Sequence, residues 1–283
     1  MATLTITTIQ TNLHWEDKEA NLAMFEQKIF SIKEKTEIVI LPEMFSTGFS
    51  MKPGTLAEKM DGPTVAWMKR IAASKKIILA GSIIVEDEGN YFNRLIWMLP
   101  NGQYGCYDKR HLFAYAGEDE QYAAGTTRLI ASVKGWKINL QVCYDLRFPV
   151  WSRQAPSLPP PPVGGEEKSA GDDDRGLGGG LEYDLLIYVA NWPERRSHAW
   201  KTLLQARAIE NQCYVVGVNR VGNDGNNIYY SGNSMIVDPL GEVLYQKSHD
   251  EDIFTYTLQA EKLEDVRMKF PFWKDADHFF IEP

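Results

Sequence analysis

The sequence predicts an α/β protein built from stacked layers of sheet and helix. Short apolar runs typical of strands alternate with segments in which apolar residues recur every three or four positions, as on one helical face. Turn signals such as DEGN (87–90) separate neighbouring runs and add hairpins to this alternation. The chain has 283 residues, 44% of them hydrophobic, so it can bury one large core, and a single domain over 1–283 is expected.

The N-terminal half combines two pairs of strand and helix with a β-meander. Leu22, Phe25, Ile29 and Ile32 share one helical face, and EIVILPE is a short apolar run of the kind found in buried strands. In chain order, the predicted elements are a strand in MATLTITTIQ, a helix over 16–33, a strand in EIVILPE, a helix over 63–74, and three strands in KIILAGSIIVE, NRLIWMLP and GQYGCYDK.

The C-terminal half repeats the alternation of strands and helices. RLIASVKG and WKINLQVCYD are predicted as strands before a helix over 148–153, and YDLLIYVANW as a strand before a helix over about 197–211. Four more strands are predicted in CYVVGVNRV, SMIVDP, GEVLYQK and IFTYTLQ, followed by a short helix and an aromatic tail.

One segment between the two strongly patterned regions has a different composition. The residues from Gln154 to Glu182 are mostly Pro, Gly and charged residues, with almost nothing to bury, which predicts a flexible insertion at about 155–182. It joins the end of a helix to the start of a strand. It is therefore expected to lie on the side of the sheet opposite the strand C-termini, where α/β active sites form. An inert insertion that is dispensable for activity is the favoured interpretation, and a segment that docks a partner is the alternative.

Charge and cysteine content narrow the class of protein. The formal net charge of −8 argues against a nucleic-acid-binding surface, so a small-molecule partner is expected. No apolar run is long enough to span a membrane, and the N-terminus lacks the pattern of a secretory signal. The three cysteines, Cys106, Cys143 and Cys213, are odd in number and widely spaced, so neither a disulfide framework nor a metal site is expected. These features favour the cytoplasm.

Three polar residues stand at the ends of predicted strands: Glu43, Lys109 and Cys143. An open α/β sheet presents side chains at these positions to a crevice. Cys143 is either a packing residue or a nucleophile, and a nucleophile needs a base or a cation beside it, for which Glu43 and Lys109 are suited. His111 and His198 lie near the same segments and stay open as alternative activators of the thiol.

The blocks LPEMFSTGF, YDKRHLF and VCYDLRFP, in this order, resemble the three signature blocks of the nitrilase superfamily, the carbon-nitrogen hydrolases, and YVANWP and ARAIENQ continue the likeness. The sequences of these blocks are most similar to those of the omega-amidase branch, whose members hydrolyse the terminal amide of 2-oxoglutaramate and 2-oxosuccinamate. The resemblance implies a four-layer αββα sandwich, a homodimer or higher homo-oligomer, and chemistry that requires no metal or organic cofactor.

The resemblance also implies a role for each matching residue. Glu43 matches the general base, Lys109 the cation beside the oxyanion, and Cys143 the nucleophile that forms a thioester, with the backbone N–H of Tyr144 as a second oxyanion donor. A further catalytic glutamate is expected seven residues before a glycine. Counting back from Gly125 gives Glu118, and Glu120 is the competing choice.

A 2-oxo acid needs a cationic clamp for its far carboxylate, which favours Arg195 and Arg196 just beyond a strand end. Arg147 ranks below them, because an arginine after the nucleophile more often pairs with a nearby carboxylate to fix the turn. The predicted pocket walls are the aromatic residues Trp192, Phe45, Phe49 and Phe113.

Other functions stay open at this point. Within the same superfamily, a deaminated-glutathione amidase or an N-carbamoyl amide hydrolase would carry the same blocks. An acyltransferase would pass the thioester to an amine, and a non-catalytic binding protein would use the same fold without turnover.

Overall fold

Two β-sheets form the centre of the molecule. A computed structural model describes residues 2–154, 181–277, 279 and 281, so most of the predicted insertion at 155–182 lies outside the described residues. The first sheet has the strand order β13-β1-β2-β3-β4-β5, and the second has the order β10-β11-β9-β8-β7-β6, with β12 paired to β11. The strands are β1 Thr3–Gln10, β2 Ile38–Ile40, β3 Ile78–Asp87, β4 Asn90–Met98, β5 Tyr104–Asp108, β6 Leu129–Val133, β7 Trp136–Val142, β8 Leu185–Val189, β9 Tyr214–Val218, β10 Val221–Asn223, β11 Tyr229–Val237, β12 Val243–Ser248 and β13 Asp252–Gln259.

Helices cover the outer faces of the two sheets. They are α1 Lys18–Ser31, α2 Pro53–Leu56, α3 Pro63–Lys75, α4 Glu118–Gln121, α5 Pro149–Ser152, α6 Ser197–Asn211 and α7 Ala260–Lys269. The long helices match the predicted ones closely, whereas the helix predicted over 148–153 is a single turn, α5, that begins at a proline. Among the described residues, no helix is long and apolar enough to cross a membrane.

The alternation of side chains along the short strand β2 shows how the layers are filled. Ile38 and Ile40 belong to the core between the two sheets, where Leu140 and Ile187 of the second sheet also lie. Val39, between them, points the other way and joins the core formed with α1 and α3. All three side chains are fully buried, so both faces of the first sheet are covered. The layers are helix, sheet, sheet and helix.

Strand direction determines where a site can form. β1, β2 and β3 are parallel, and so are β7, β8 and β9. β4 is antiparallel to β3, and β5 is antiparallel to β4, so β5 runs in the same direction as β2. The C-terminal ends of β2, β5, β7 and β8 therefore carry the segments that follow them toward a shared crevice.

One predicted strand differs from the structure. CYVVGVNRV forms two short strands, β9 and β10, instead of one. The break falls at Asn219, whose side-chain amide donates to the backbone carbonyls of Trp192 (2.9 Å) and Gly232 (2.7 Å). Asn219 Oδ1 in turn accepts the backbone N–H of Trp192 at 2.8 Å. The interruption of the strand thus fixes the segment that follows β8.

Candidate active site

Cys143 lies on a strained turn at the end of β7. Its φ is +47°, in the left-handed region that a residue with a Cβ rarely adopts, at a cost of about 1–3 kcal/mol. A 3₁₀ turn, Cys143–Arg147, begins at this residue, so the N–H of Tyr144 lies in the first turn, where N–H groups have no partner within the helix. The Cys143 side chain is 8% exposed and faces a pocket.

Asp145 holds this turn in place. Its fully buried carboxylate accepts the hydroxyl of Tyr107 (2.7 Å) and the backbone N–H of Val142 (3.0 Å) at one oxygen. The other oxygen accepts the backbone N–H of His111 at 2.9 Å and contacts its Nδ1 at 2.8 Å. Tyr107 and His111 flank Lys109, so Asp145 ties the cysteine turn to the lysine segment.

Glu43 follows β2 and is fully buried. Its Oε1 accepts from Lys109 Nζ at 3.0 Å and from Asn93 Nδ2 at 2.8 Å. Its Oε2 accepts the backbone N–H of Asn191 at 2.7 Å, and the Asn191 side chain donates to the Glu43 carbonyl at 2.6 Å. Because Asn191 follows β8, these bonds connect the ends of the two sheets.

Lys109 lies between two carboxylates. Its fully buried ammonium donates to Glu118 Oε2 at 2.7 Å and to Glu118 Oε1 at 2.9 Å, in addition to Glu43. Burial alone would lower the pKa of Lys109, but the negative charges of Glu118 and Glu43 outweigh it and raise that pKa well above the ordinary value. Lys109 is therefore a permanent cation in this site.

Glu118 and its competitor differ in position. Glu118 begins the short helix α4, is fully buried, and accepts the backbone N–H of Phe113 at 2.6 Å, whereas Glu120 is exposed. Burial raises the pKa of Glu118, and the charge of Lys109 opposes this shift. A Cβ at position 125 would lie 2.1 Å from the Asp108 carbonyl oxygen, so glycine is needed there for the segment after α4 to pack against the end of β5.

The thiol of Cys143 is protonated at rest. Burial raises its pKa well above the ordinary value, and the negative charge of Glu43 raises it further, while Lys109 opposes the shift. A hydrogen bond with the Glu43 side chain also favours the protonated thiol. The Cys143 thiol also donates to the backbone carbonyl of Asn191 at 4.0 Å, so it contacts the segment that follows β8.

A cavity of about 270 Å³ opens in front of the thiol. The predicted residues Phe49, Phe113, Trp192, Arg195 and Arg196 all line it, as does Arg147. The remaining lining residues are Met51, Tyr115, Ala116, Cys143, Tyr144, Asn191, Pro193, Asp224, Asn226, Ile228 and Tyr230. Its volume lies near the small end of ligand pockets, which span roughly 300–1,000 Å³.

The prediction that Phe45 lines the pocket is wrong. Phe45 is fully buried in the core between the first sheet and its helices, with its ring 5.6 Å from that of Phe25 and 5.9 Å from that of Trp67. The backbone turns at Met44, where φ is +41°, and this turn directs Phe45 away from Cys143.

The carbon-nitrogen hydrolase family matches residues 5–156 and 182–268, a range that includes all the residues lining the pocket and the buried side chains of Glu43, Lys109, Glu118 and Cys143. The chain belongs to the carbon-nitrogen hydrolase family. It is 40% identical over 280 residues to omega-amidase YafV of Escherichia coli (strain K12), covering 99% of each chain. It is 29% identical over 274 residues to 2-oxoglutaramate amidase of Bacillus subtilis (strain 168), covering 96% of each.

A solved structure supports the fold of this carbon-nitrogen hydrolase. XC1258 from Xanthomonas campestris, a CN-hydrolase superfamily protein with an arsenic adduct in its active site, superposes with a TM-score of 0.90 at 42% identity over 100% of both chains. The predicted nitrilase-like αββα sandwich and the resemblance to the omega-amidase branch are confirmed. The protein is a hydrolase of carbon–nitrogen amide bonds.

The arginines of this carbon-nitrogen hydrolase differ in their surroundings. Arg147 lies over the ring of Trp192 at 5.0 Å, and Arg196 lies over the ring of Phe113 at 4.9 Å. In the described part of the chain, no carboxylate pairs with Arg147, contrary to the expectation that it fixes the turn. Burial lowers the pKa of Arg196, and the neighbouring charge of Arg195 lowers it further.

The two histidines left open by the sequence lie outside the pocket lining. His111 stacks on Phe148 with ring centroids 3.8 Å apart and contacts Asp145, while His198 is exposed on α6. The ionisable side chains with the largest effect on the pKa of Cys143 are the carboxylates of Glu43 and Glu118 and the ammonium of Lys109. Within 2–154 and 181–277, no group of three His, Cys, Asp or Glu side chains could hold a metal ion.

Asn93, Asn191 and Asp145 do not stand out in the sequence patterns. Each makes hydrogen bonds that position Glu43, Lys109 or the Cys143 turn. Asp145 lies within the VCYDLRFP block, and Asn191 lies within YVANWP. A polar residue inside a buried strand needs a partner, and this rule was the available signal for Asn93 in β4.

Proposed function

We propose that this carbon-nitrogen hydrolase cleaves the terminal amide of a small 2-oxo acid, 2-oxoglutaramate or 2-oxosuccinamate, into the dicarboxylate and ammonia. The observation that carries the proposal is a small pocket with Cys143 at one side and the guanidinium groups of Arg147, Arg195 and Arg196 in its lining. In a protein of net charge −8, this local excess of positive charge suits an anionic substrate.

The relatives support the same substrate class. The names omega-amidase and 2-oxoglutaramate amidase belong to relatives that match nearly the whole length of this chain. Arg196 is the best placed of the three arginines to clamp the substrate carboxylate. It is partly buried against Phe113 and electrostatically coupled to Cys143, so its charge is less screened by solvent than those of the exposed Arg147 and Arg195.

The chemistry proceeds through a thioester. Glu43 takes the proton of the Cys143 thiol as the sulfur attacks the amide carbon, and a C–S bond forms while the carbonyl π electrons move to oxygen. The oxyanion collapses, the C–N bond breaks, and the nitrogen leaves as ammonia with the proton from Glu43. Water, deprotonated by Glu43, then attacks the thioester carbon, the C–S bond breaks, and the proton returns to sulfur.

Lys109 and the N–H of Tyr144 stabilise the oxyanion in this mechanism. At rest, Lys109 donates to both Glu43 and Glu118. Proton transfer from the thiol neutralises Glu43 and weakens its attraction for the ammonium, while Glu118 continues to hold it. The positive charge of Lys109 then becomes available to the oxyanion at the moment when negative charge develops there.

Ammonia release over a substrate panel tests the proposal. The purified protein is expected to release ammonia from 2-oxoglutaramate and 2-oxosuccinamate faster than from deaminated glutathione, from N-carbamoyl amino acids or from simple aliphatic amides. Cys143→Ala should abolish release, and Cys213→Ala, a change at a buried cysteine outside the pocket, should retain it. No release from either 2-oxo acid would remove the proposed substrate, and release from another member of the panel would assign a different amide.

The thioester has its own test. Acid quenching during turnover of 2-oxoglutaramate should yield a protein whose mass is raised by the acyl group, with the adduct on Cys143. The adduct should be absent from Cys143→Ala. A steady-state rate of ammonia release with no trapped acyl-enzyme, even in a variant slowed in deacylation, would argue for direct attack by water.

We further propose that the protein forms a homodimer, in the cytoplasm, as a single domain. Val150 on α5 and Ile209 on α6 are more than half exposed, at 56% and 55%, and the two helices are joined where Arg153 donates to the Glu210 carbonyl. A dimer would cover these apolar side chains. Light scattering should give twice the mass of the chain, and Ile209→Asp should reduce it to one chain if this face is used.

A further inference from the structure

Asn93 touches both carboxylates of the site without lining the pocket. Its side chain, on β4, is fully buried, and its Nδ2 donates to Glu43 Oε1 at 2.8 Å and to Glu118 Oε1 at 3.2 Å. Its backbone carbonyl accepts the N–H of Lys109 at 3.0 Å. Asn93 therefore contacts the segments that follow β2 and β5 as well as the start of α4.

The same two carboxylate oxygens also share Lys109. Nζ of Lys109 is 3.0 Å from Glu43 Oε1 and 2.9 Å from Glu118 Oε1, so these two oxygens are bridged by one charged donor and one neutral donor. A single ammonium cannot cancel two carboxylates, which repel each other in a buried site. The amide of Asn93 supplies the additional donor without adding a second positive charge.

Chemistry fixes the orientation of the Asn93 amide. Only the NH₂ group can donate to Glu43 and Glu118, and turning the amide over would place Oδ1 against two carboxylate oxygens. Oδ1 is buried and has no hydrogen-bond partner among the described residues, so nothing there favours the reverse orientation. An aspartate at this position has the same shape and lacks the donor.

We propose that Asn93 is a positioning residue that keeps Glu43 and Glu118 ionised at neutral pH and so sets the acid limb of the activity profile. A hydrogen bond donated to the ionised form of an acid favours that form. The ionisable groups around the two carboxylates come from several elements: Lys109, Tyr122, Cys143 and Tyr230. This inference rests on the base role proposed for Glu43.

The test compares pH profiles of kcat/KM for wild type, Asn93→Asp, Asn93→Ala and Asn93→Ser. Loss of the donor should move the acid limb to higher pH by about one to two units, and the added negative charge should make the shift largest in Asn93→Asp. On the acid limb of the wild-type profile, kcat should fall about 10- to 100-fold, as a shift of about one to two units implies, while KM changes little because Asn93 does not line the pocket. Asn93→Ser retains a donor and should lie between wild type and Asn93→Ala.

A structural role makes a different prediction. If Asn93 only supports the fold, every folded variant should keep the acid limb of wild type with a uniformly lower rate, and that result would overturn the inference. Asn90, on the same strand but exposed, provides the matched control: Asn90→Asp should leave the profile unchanged. Unfolding midpoints identify which variants are folded. If Asn93→Asp does not fold, Asn93→Ser takes its place in the comparison.

Alkylation of Cys143 by iodoacetamide separates this inference from the proposed substrate. The rate of alkylation also depends on the base beside the thiol, and it requires no amide. If wild type does not hydrolyse 2-oxoglutaramate, the substrate assignment fails, and the alkylation profile still tests Asn93. If alkylation of wild type and of Asn93→Ala has the same dependence on pH, the role of Asn93 is refuted whatever the substrate.

Discussion

Replacing Lys109 by methionine removes an ammonium that contacts two buried carboxylates. In the native protein, Lys109 Nζ lies 3.0 Å from Glu43 and 2.7 Å from Glu118, and all three side chains are fully buried. Methionine fills a similar volume, so the change removes the charge with little loss of packing. Breaking a buried ion pair by removing one partner costs about 3–5 kcal/mol, because it leaves an uncompensated buried charge. We expect the free energy of unfolding to fall by this amount at neutral pH.

The loss should depend on pH in a defined direction. Burial already raises the pKa of Glu118 in the native protein, and removal of the opposing charge of Lys109 raises it further. A carboxyl group whose pKa is higher in the folded state than in the unfolded state binds more protons when folded. The variant should therefore lose stability as pH rises, and its deficit relative to wild type should shrink as pH falls toward the ordinary glutamate pKa.

Urea unfolding of wild type and Lys109→Met at about pH 7.5 and about pH 5 measures both effects. Lys134→Met is the matched control, because Lys134 forms an exposed ion pair with Glu37 at 3.1 Å and should contribute no more than about 1 kcal/mol. A loss below about 1 kcal/mol for Lys109→Met, or the same loss at both pH values, would refute the reasoning that the cation compensates the two carboxylates.

Three further predictions concern the pocket, the cysteine turn and the insertion. Arg196→Met should raise KM for 2-oxoglutaramate about 100-fold with a smaller effect on kcat, measured by ammonia release, since it removes a charged contact to the substrate carboxylate. Asp145→Asn should slow alkylation of the thiol about 10-fold and lower the unfolding midpoint, because one oxygen acceptor of the strained turn is lost. Replacing 155–180 by a short Gly-Ser linker should leave kcat/KM within about 2-fold of wild type, since Tyr183 N–H donates to Gln154 Oε1 at 3.0 Å and holds the flanks together.

Each of these predictions has a control or a contrary outcome. Arg70→Met changes an exposed arginine of α3 and should leave KM unchanged. Asp119→Asn, at an exposed acid next to Glu118, should not affect alkylation. A large fall in kcat/KM on replacement of 155–180 would show that the insertion reaches the active-site side of the sheet.

The placement of Glu43, Lys109 and Cys143 could be predicted because each follows a strand and strand direction is readable from the pattern of connections. Parallel strands bring their C-terminal ends to one edge, so residues far apart in sequence become neighbours there. Phe45 shows the limit of this reasoning. It lies two residues after Glu43, but a turn at Met44 directs its side chain to the opposite face of the sheet. The spacing of residues in the sequence does not predict that turn.

Asn93 and Asp145 could not be located from local patterns, since their roles depend on pairing between distant segments. The register of β4 with β5 pairs Arg94 with Asp108, which brings Asn93 beside Lys109. A shift of that register by one residue would turn the Asn93 side chain to the other face. Residues that position other residues through hydrogen bonds can therefore be identified only when the pairing of the strands is known.

The charge of the site explains why arginines line the pocket. With both carboxylates ionised and Lys109 charged, the buried cluster carries a net charge of −1, while the Cys143 thiol is neutral. Transfer of the thiol proton to Glu43 moves the negative charge to sulfur without changing this total. An anionic 2-oxo acid would therefore be repelled at every stage of the proposed reaction unless cations outside the cluster compensated. Arg147, Arg195 and Arg196 are placed to do so, and a neutral amide would gain nothing from them.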